Sequence, residues 1–96
     1  MSSLTLDSIV RTSGDAVSCV LDGEAAILNI KNGEYYGLDE VGSSVWGIMS
    51  QPHTIAEIVS QITSEYEVDA ARCAADLLSL ISQLAVRGLV EISDQV

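Results

Sequence analysis

The side chains able to do covalent or acid–base chemistry are few in this chain and far apart. Cys19 and Cys73 are the only thiols and His53 the only imidazole. A cysteine nucleophile needs a base within hydrogen-bond reach, and a structural metal site needs close-set ligands such as a CxxC pair. Neither pattern occurs. Cys19 falls in an apolar stretch with strand character, Cys73 on the apolar side of a helical pattern, and His53 follows Pro52 in a loop. The two cysteines read as buried free thiols, which suits a reducing cytoplasm. Fourteen carboxylates face four Lys and Arg, and no spacing singles out a carboxylate pair. They read as a solvated surface that keeps a small apolar domain in solution. Phosphate-cradling loops, HExxH and GxSxG are all missing. The expectation is no catalytic residue, no metal and no cofactor.

The elements that would position a site are clearer than the site itself. Asp22-Gly23 and Asn32-Gly33 are the strongest kind of hairpin signal, because a type I′ turn needs φ > 0 at both central residues. They bracket three runs, Val17–Leu21, Glu24–Ile30 and Glu34–Leu38, and so predict a three-stranded antiparallel meander with two-residue loops. The period then changes at Asp39, a plausible N-cap with Glu40 in the first helical turn. Val41, Val45, Trp46, Ile48 and Met49 carry helical spacing to about Ser50, and Pro52 closes the segment. Thr54 and Glu57 have capping-box spacing, followed by a stripe of Ile55, Ile58, Val59, Ile62 and Tyr66. Asp69 caps a third helix, about Ala70 to Arg87, and Gly88 sits where a left-handed C′ residue is wanted. Leu89–Ile92 is a final strand or extended tail. Residues 1–15 read as a loose, flexible arm, with residues 16–96 as one domain.

The third helix has an unusually wide apolar side. At ~100° per residue, Ala70, Cys73, Ala74, Leu77, Leu78, Leu80, Ile81, Leu84 and Ala85 span roughly 160°, whereas a surface helix needs only ~100°. Either this is the central helix of the core, or the Leu77, Leu80, Leu84 side lines a groove for an apolar ligand. The sequence does not divide the arc between the two.

Composition narrows the partners. The chain has 96 residues, 48% of them apolar, and a net charge of −10. Nucleic-acid affinity rests on clustered Lys and Arg, and here Arg11, Lys31, Arg72 and Arg87 are scattered. The same charge disfavours anionic membranes. No apolar run approaches the ~18 residues of a membrane span, and no signal peptide is evident. The triplet Asp7-Ser8-Ile9 has the form that carries phosphopantetheine in acyl carrier proteins. Carriers, however, are all-helical, and hairpins follow it here.

A domain without reactive groups acts by binding. The third strand, if the strands follow chain order, is a sheet edge, and an extended peptide can add itself to such an edge. Tyr35 and Tyr36 must face opposite sides of it.

The whole pattern from Val17 to Ile92 resembles the PqqD-like family of peptide-recognition domains. The resemblance rests on Gly33-Glu34-Tyr35-Tyr36-Gly37-Leu38, on Gly42 and Trp46, on Thr54 with Glu57, and on the series Asp76, Leu77, Leu80, Leu84, Gly88 and Leu89. Family members usually carry Asn where Asp39 stands, and Asp caps a helix equally well. The resemblance implies an α+β, winged helix-turn-helix-like fold, a three-stranded antiparallel meander followed by three helices, that does not bind DNA. It implies recognition of the leader region of a ribosomally made precursor peptide, which is handed to a separate maturation enzyme. The free-standing form looks most like the leader-binding proteins of lasso-peptide pathways, which work with a leader peptidase. A PqqD-type chaperone serving a radical enzyme is the near alternative. Carried onto this chain, the backbone of Glu34, Tyr35, Tyr36, Gly37 and Leu38 pairs with the leader. Leu77, Leu80, Leu84 and the outward-facing tyrosine meet its apolar side chains, and Asp76 and Gln83 offer polar contacts. A monomer is expected. The rival readings are a homo-oligomeric structural subunit and a winged-helix transcription factor, the latter disfavoured by a third helix with two arginines and no lysine.

Overall fold

At Asp22 and Gly23 the backbone takes φ values of 55° and 81°, the positive pair that a type I′ hairpin requires. This turn joins two strands of a computed structural model that describes residues 4–93. In chain order its elements are β1 (Ile9–Thr12), β2 (Ala16–Leu21), β3 (Glu24–Asn29), β4 (Tyr35–Gly37), α1 (Glu40–Ile48), β5 (His53–Thr54), α2 (Ile55–Glu65), α3 (Ala70–Val86) and β6 (Val90–Ser93). The strands form two antiparallel three-stranded sheets, β2-β3-β4 and β5-β1-β6. The fold is α+β with winged helix-turn-helix-like topology, as the sequence predicts. No described helix is long and apolar enough to cross a membrane.

The first sheet is the expected meander, with one correction. The second hairpin is not closed by a two-residue Asn-Gly turn. Asn29, not Lys31, pairs with Glu34, its N–H donating to the Glu34 carbonyl at 2.8 Å, and Gly33 N–H donates back to Asn29 O at 2.8 Å. Only Gly33 has positive φ in that loop. The register therefore moves by two residues, which keeps every side chain on its expected face. Asn29 causes the shift. Its side chain is buried, and its Oδ1 accepts from the N–H groups of Lys31 (2.8 Å) and Asn32 (3.3 Å), holding the loop open.

The second sheet corrects the arm. Residues 9–12 are not loose: β1 is its central strand, with Ile9 opposite Thr54 and Ser93, and Val10 opposite His53 and Ile92. Val10 is fully buried, worth ~1.5–3 kcal/mol of apolar transfer. Upstream, the carbonyls of Leu6 and Ser8 accept from Ala56 and Ile55 at the start of α2 (3.0 and 3.1 Å). This sheet is invisible locally because β1 has only four residues, β5 two, and their partners lie about forty and eighty positions away. Residues 1–3 of the proposed arm and 94–96 of the proposed domain lie outside the described residues.

The helices begin where capping chemistry says they should. Asp39 accepts from Gly42 N–H, Asp69 from Arg72 N–H, and Thr54 with Glu57 closes a complete capping box. Ile55, Ile58 and Ile62 of α2 pack with Leu77, Ile81 and Leu84 of α3, over Ala25 and Ile27 of β3. At the end of α3, Gly88 has φ +73°, and a Cβ there would lie 2.7 Å from Asn29 Nδ2. Gly88→Ala is expected to lower stability by about 2 kcal/mol or more, from left-handed strain and the clash together. Urea denaturation followed by circular dichroism would measure the shift in midpoint.

A candidate peptide groove beside the short edge strand

Strand β4 is three residues long, and the chain on either side of it is still bonded to β3. Glu34 is tied to Asn29, and Leu38 N–H donates to Ala25 O at 2.8 Å. Together with the pairing of Ile27 with Tyr36, these bonds fix which backbone groups face β3. Antiparallel strands alternate, so the N–H and C=O groups of Tyr35 and Gly37 point the other way, to the open edge. Among the described residues nothing bonds them. Of the five residues from Glu34 to Leu38, only these two turn their backbone to the open edge: the Glu34 carbonyl and Leu38 N–H bond β3, Tyr36 pairs with Ile27, and Glu34 N–H donates to Asn32 Oδ1 at 2.8 Å.

Facing that edge is one flank of α3. Cys73, Asp76, Leu80, Gln83 and Arg87 recur at helical spacing, next to the buried line of Leu77, Ile81 and Leu84. The wide apolar arc is thereby divided. Leu77, Ile81 and Leu84 belong to the core, while Cys73 and Leu80 are half-buried beside the groove. Leu84 corrects the sequence reading: at 0% exposure its side chain has no surface for a ligand. Leu77 is also nearly buried and reaches the groove only as part of its floor.

An open groove of about 810 Å³ lies between β4 and α3. Val41 and Val45 of α1, Ile62 of α2, and Leu77 and Leu80 of α3 make it apolar, with Tyr36 and Gly37 on the strand side. Its rim is polar: Asp39, Glu67, Asp69, Arg72 and Asp76. Two of these carboxylates are already engaged as helix caps, and Arg72 reaches Asp76 only at 3.9 Å, with both side chains well exposed. The floor residues from α1 and α2 escaped the sequence reading, because their stripes gave no sign of which edge would stay uncovered.

The tyrosines separate to opposite faces as alternation requires. Tyr36, the inward-facing one, lines the groove. Its hydroxyl bonds Gln83 Oε1 at 2.9 Å, and Arg87 lies over its ring at 5.2 Å. Arg87 also bridges to Glu34 at 3.3 Å. These contacts join β4 to the C-terminal half of α3 and leave the groove open toward the N-terminal half. Tyr35 is 62% exposed and lines a shallower concavity of about 440 Å³ on the outer face, with Cys19 and Leu21.

The remaining reactive groups stay apart. His53 sits in β5 with Nδ1 bonded to Gln51 O at 2.9 Å, and no metal-binding cluster occurs among the described residues. Ser8 is buried and accepts from Thr5 N–H, unlike an exposed carrier serine. Burial, and secondarily the Asp76 charge, pushes the Cys73 thiol pKa up. With less thiolate at a given pH and less exposure than Cys19, Cys73 should be alkylated several-fold more slowly by iodoacetamide at pH 8. Peptide mapping over a time course would show it.

Comparison with known proteins places this architecture. Residues 24–90 match the family described as coenzyme PQQ synthesis protein D (PqqD). That span opens at β3 and closes at the first residue of β6, so it contains every groove residue. No curated protein matches the chain. Among solved structures, TbiB1 in complex with the TbiA(beta) leader peptide superposes with a TM-score of 0.77 at 36% identity, over 84% of this chain and 94% of that one. Lasso peptide synthetase B1 complexed with the leader peptide shares the fold, with a TM-score of 0.73 at 23% identity, over 85% and 96% of the two chains. By its sequence match and its fold, the chain belongs to the PqqD family.

Proposed function

We propose that this protein binds the leader region of a ribosomally synthesised precursor peptide, most closely of the lasso-peptide kind, and presents it to a separate maturation enzyme such as a leader peptidase. It acts in the cytoplasm as a non-catalytic accessory protein and needs no cofactor. The observation that carries this reading is the juxtaposition of two free backbone units, at Tyr35 and Gly37, with an apolar groove against α3. An added strand takes its affinity from the backbone and its specificity from side chains that drop into the groove at every second position. The likeness to TbiB1, solved with a leader peptide, supports it. In this reading Tyr36, Leu77, Leu80, Asp76 and Gln83 meet the ligand side chains. A PqqD-type chaperone that presents a precursor to a radical enzyme is the second reading, in keeping with the match to the PqqD family; the same groove would serve it.

Titration with the TbiA(beta) leader peptide, and with the leader of any precursor encoded beside this chain, should shift the amide resonances of Tyr35, Gly37 and α3 first. Shifts confined to β1, β5 and β6 would refute the assignment. Gly37→Pro removes one outward N–H while leaving the bonds to β3 intact. It should weaken binding about tenfold, the equivalent of one hydrogen bond. Leu80→Asp sets an unpaired charge in the apolar floor and should weaken it by about tenfold or more, with circular dichroism confirming that the variant folds.

A further inference from the structure

The meander has a second free edge, and it differs from β4 in every respect. Strand β2 is six residues long, and no charged residue falls between Ala16 and Leu21. From Val17 onward it is exposed on both faces, with Leu21 at 72%, Val20 at 61% and Val17 at 49%. Charges, bulges and prolines, which normally blunt such an edge, are all missing. The pairing of Leu21 with Glu24 and the bond from Ile30 N–H to Asp15 O (3.0 Å) set its phase. The odd-numbered residues bond β3, and the N–H and C=O groups of Ser18 and Val20 face outward.

We propose that this edge is a self-association surface, on which two copies pair β2 to β2, antiparallel, about a two-fold axis through Cys19. The strand is self-complementary in this register. Ser18 of each copy exchanges both backbone bonds with Val20 of the other, and the axis passes through a non-hydrogen-bonded pair at Cys19. At such pairs side chains approach most closely. The most exposed apolar residue, Leu21, then meets Val17 of the second copy on the outer face. Charge permits a second copy at this surface. A chain of net −10 repels itself, but here Asp22 falls opposite Ala16 and Asp15 opposite Gly23, so no carboxylate faces another. A six-stranded sheet results, with a β4 edge free at each end, so the proposal stands independently of what occupies the groove. Strand β2 also lies outside the span that matches the family.

Two six-residue strands make less than a standard interface of ~1,200–2,000 Å², so the dimer should form only at high micromolar concentration. Sedimentation velocity from about 5 µM to about 1 mM should show a monomer giving way to a dimer. Cysteine supplies an independent ruler. Across a non-hydrogen-bonded pair the Cα atoms lie ~4.5 Å apart, within disulfide reach. Diamide should therefore join Cys19 to Cys19, taking the two electrons and two protons of the thiols as it becomes the hydrazine. Cys73→Ser should still cross-link and Cys19→Ser should not. Ser18→Pro removes only an outward N–H, the one place a strand tolerates proline. It should reduce both the sedimenting dimer and the cross-linking rate at least fivefold, with an unchanged circular dichroism spectrum. A chain that stays monomeric at ~1 mM, or cross-linking that Ser18→Pro leaves untouched, would overturn the proposal. If Ser18→Pro fails to fold, the sedimentation and Cys19 results on the unaltered chain decide alone.

Discussion

The interaction on which the rest of the structure depends is the seating of Asn29 against the end of α3. Its amide Nδ2 donates to Gly88 O at 2.9 Å and lies 3.4 Å from Arg87 O. Its Oδ1 holds the N–H groups of Lys31 and Asn32. One buried side chain thus meets the carbonyls that close α3, where Asn32 Nδ2 also reaches Arg87 O at 3.4 Å, and shapes the loop that leads into β4. Gly88 is the other half of the constraint, since no Cβ fits between it and Asn29. Moving this joint would move β4 relative to α3, and with it both walls of the groove.

Edge management explains the groove's shape. A free strand edge invites indiscriminate pairing, and β4 limits that risk by offering only two backbone units. The flank of α3 narrows it further, because a strand laid along β4 must also fit beside Leu80, Asp76 and Gln83. On the proposed reading, specificity follows from this double requirement. Ser43 completes the boundary: its hydroxyl accepts from Ala25 N–H at 2.7 Å, where β3 outruns β4. Sheet, α1 and α3 therefore meet around one short strand.

The charge distribution suits peptide work and not nucleic-acid work. A winged helix that reads DNA needs clustered cations on its third helix, whereas the groove side of α3 carries Arg72 beside Asp76 at one end and the Arg87–Glu34 pair at the other. That pair is partly exposed, worth about 1 kcal/mol at most, and its role is geometric, steering Arg87 over Tyr36. The rim carboxylates Asp39 and Asp69 do structural duty as caps, so the acidity at the groove mouth comes in part from helix starts that the fold needs anyway.

Local chemistry wrote much of this into the sequence. Asp22-Gly23, Asp39, Thr54 with Glu57, Asp69 and Gly88 each act within a few residues of themselves, so the first hairpin, the strand order of the meander and the starts of the three helices could be read directly. Alternation placed Tyr35 and Tyr36 on opposite faces, and helical spacing put Leu80 and Asp76 beside one another. What the sequence could not state was which faces meet. Whether Tyr35 or Tyr36 turned inward depended on α3 covering one side of the sheet. Leu84 and Leu80 look alike in sequence, and only the packing of α2 against α3 buried the first and spared the second. The β5-β1-β6 sheet joins segments too short and too distant to announce themselves, so Ile9–Thr12 resembled a loose arm until Val10 found its partners. Local signals are determined within a turn of chain; long-range pairing depends on burial summed over the whole molecule, and that sum exists only once the chain has folded.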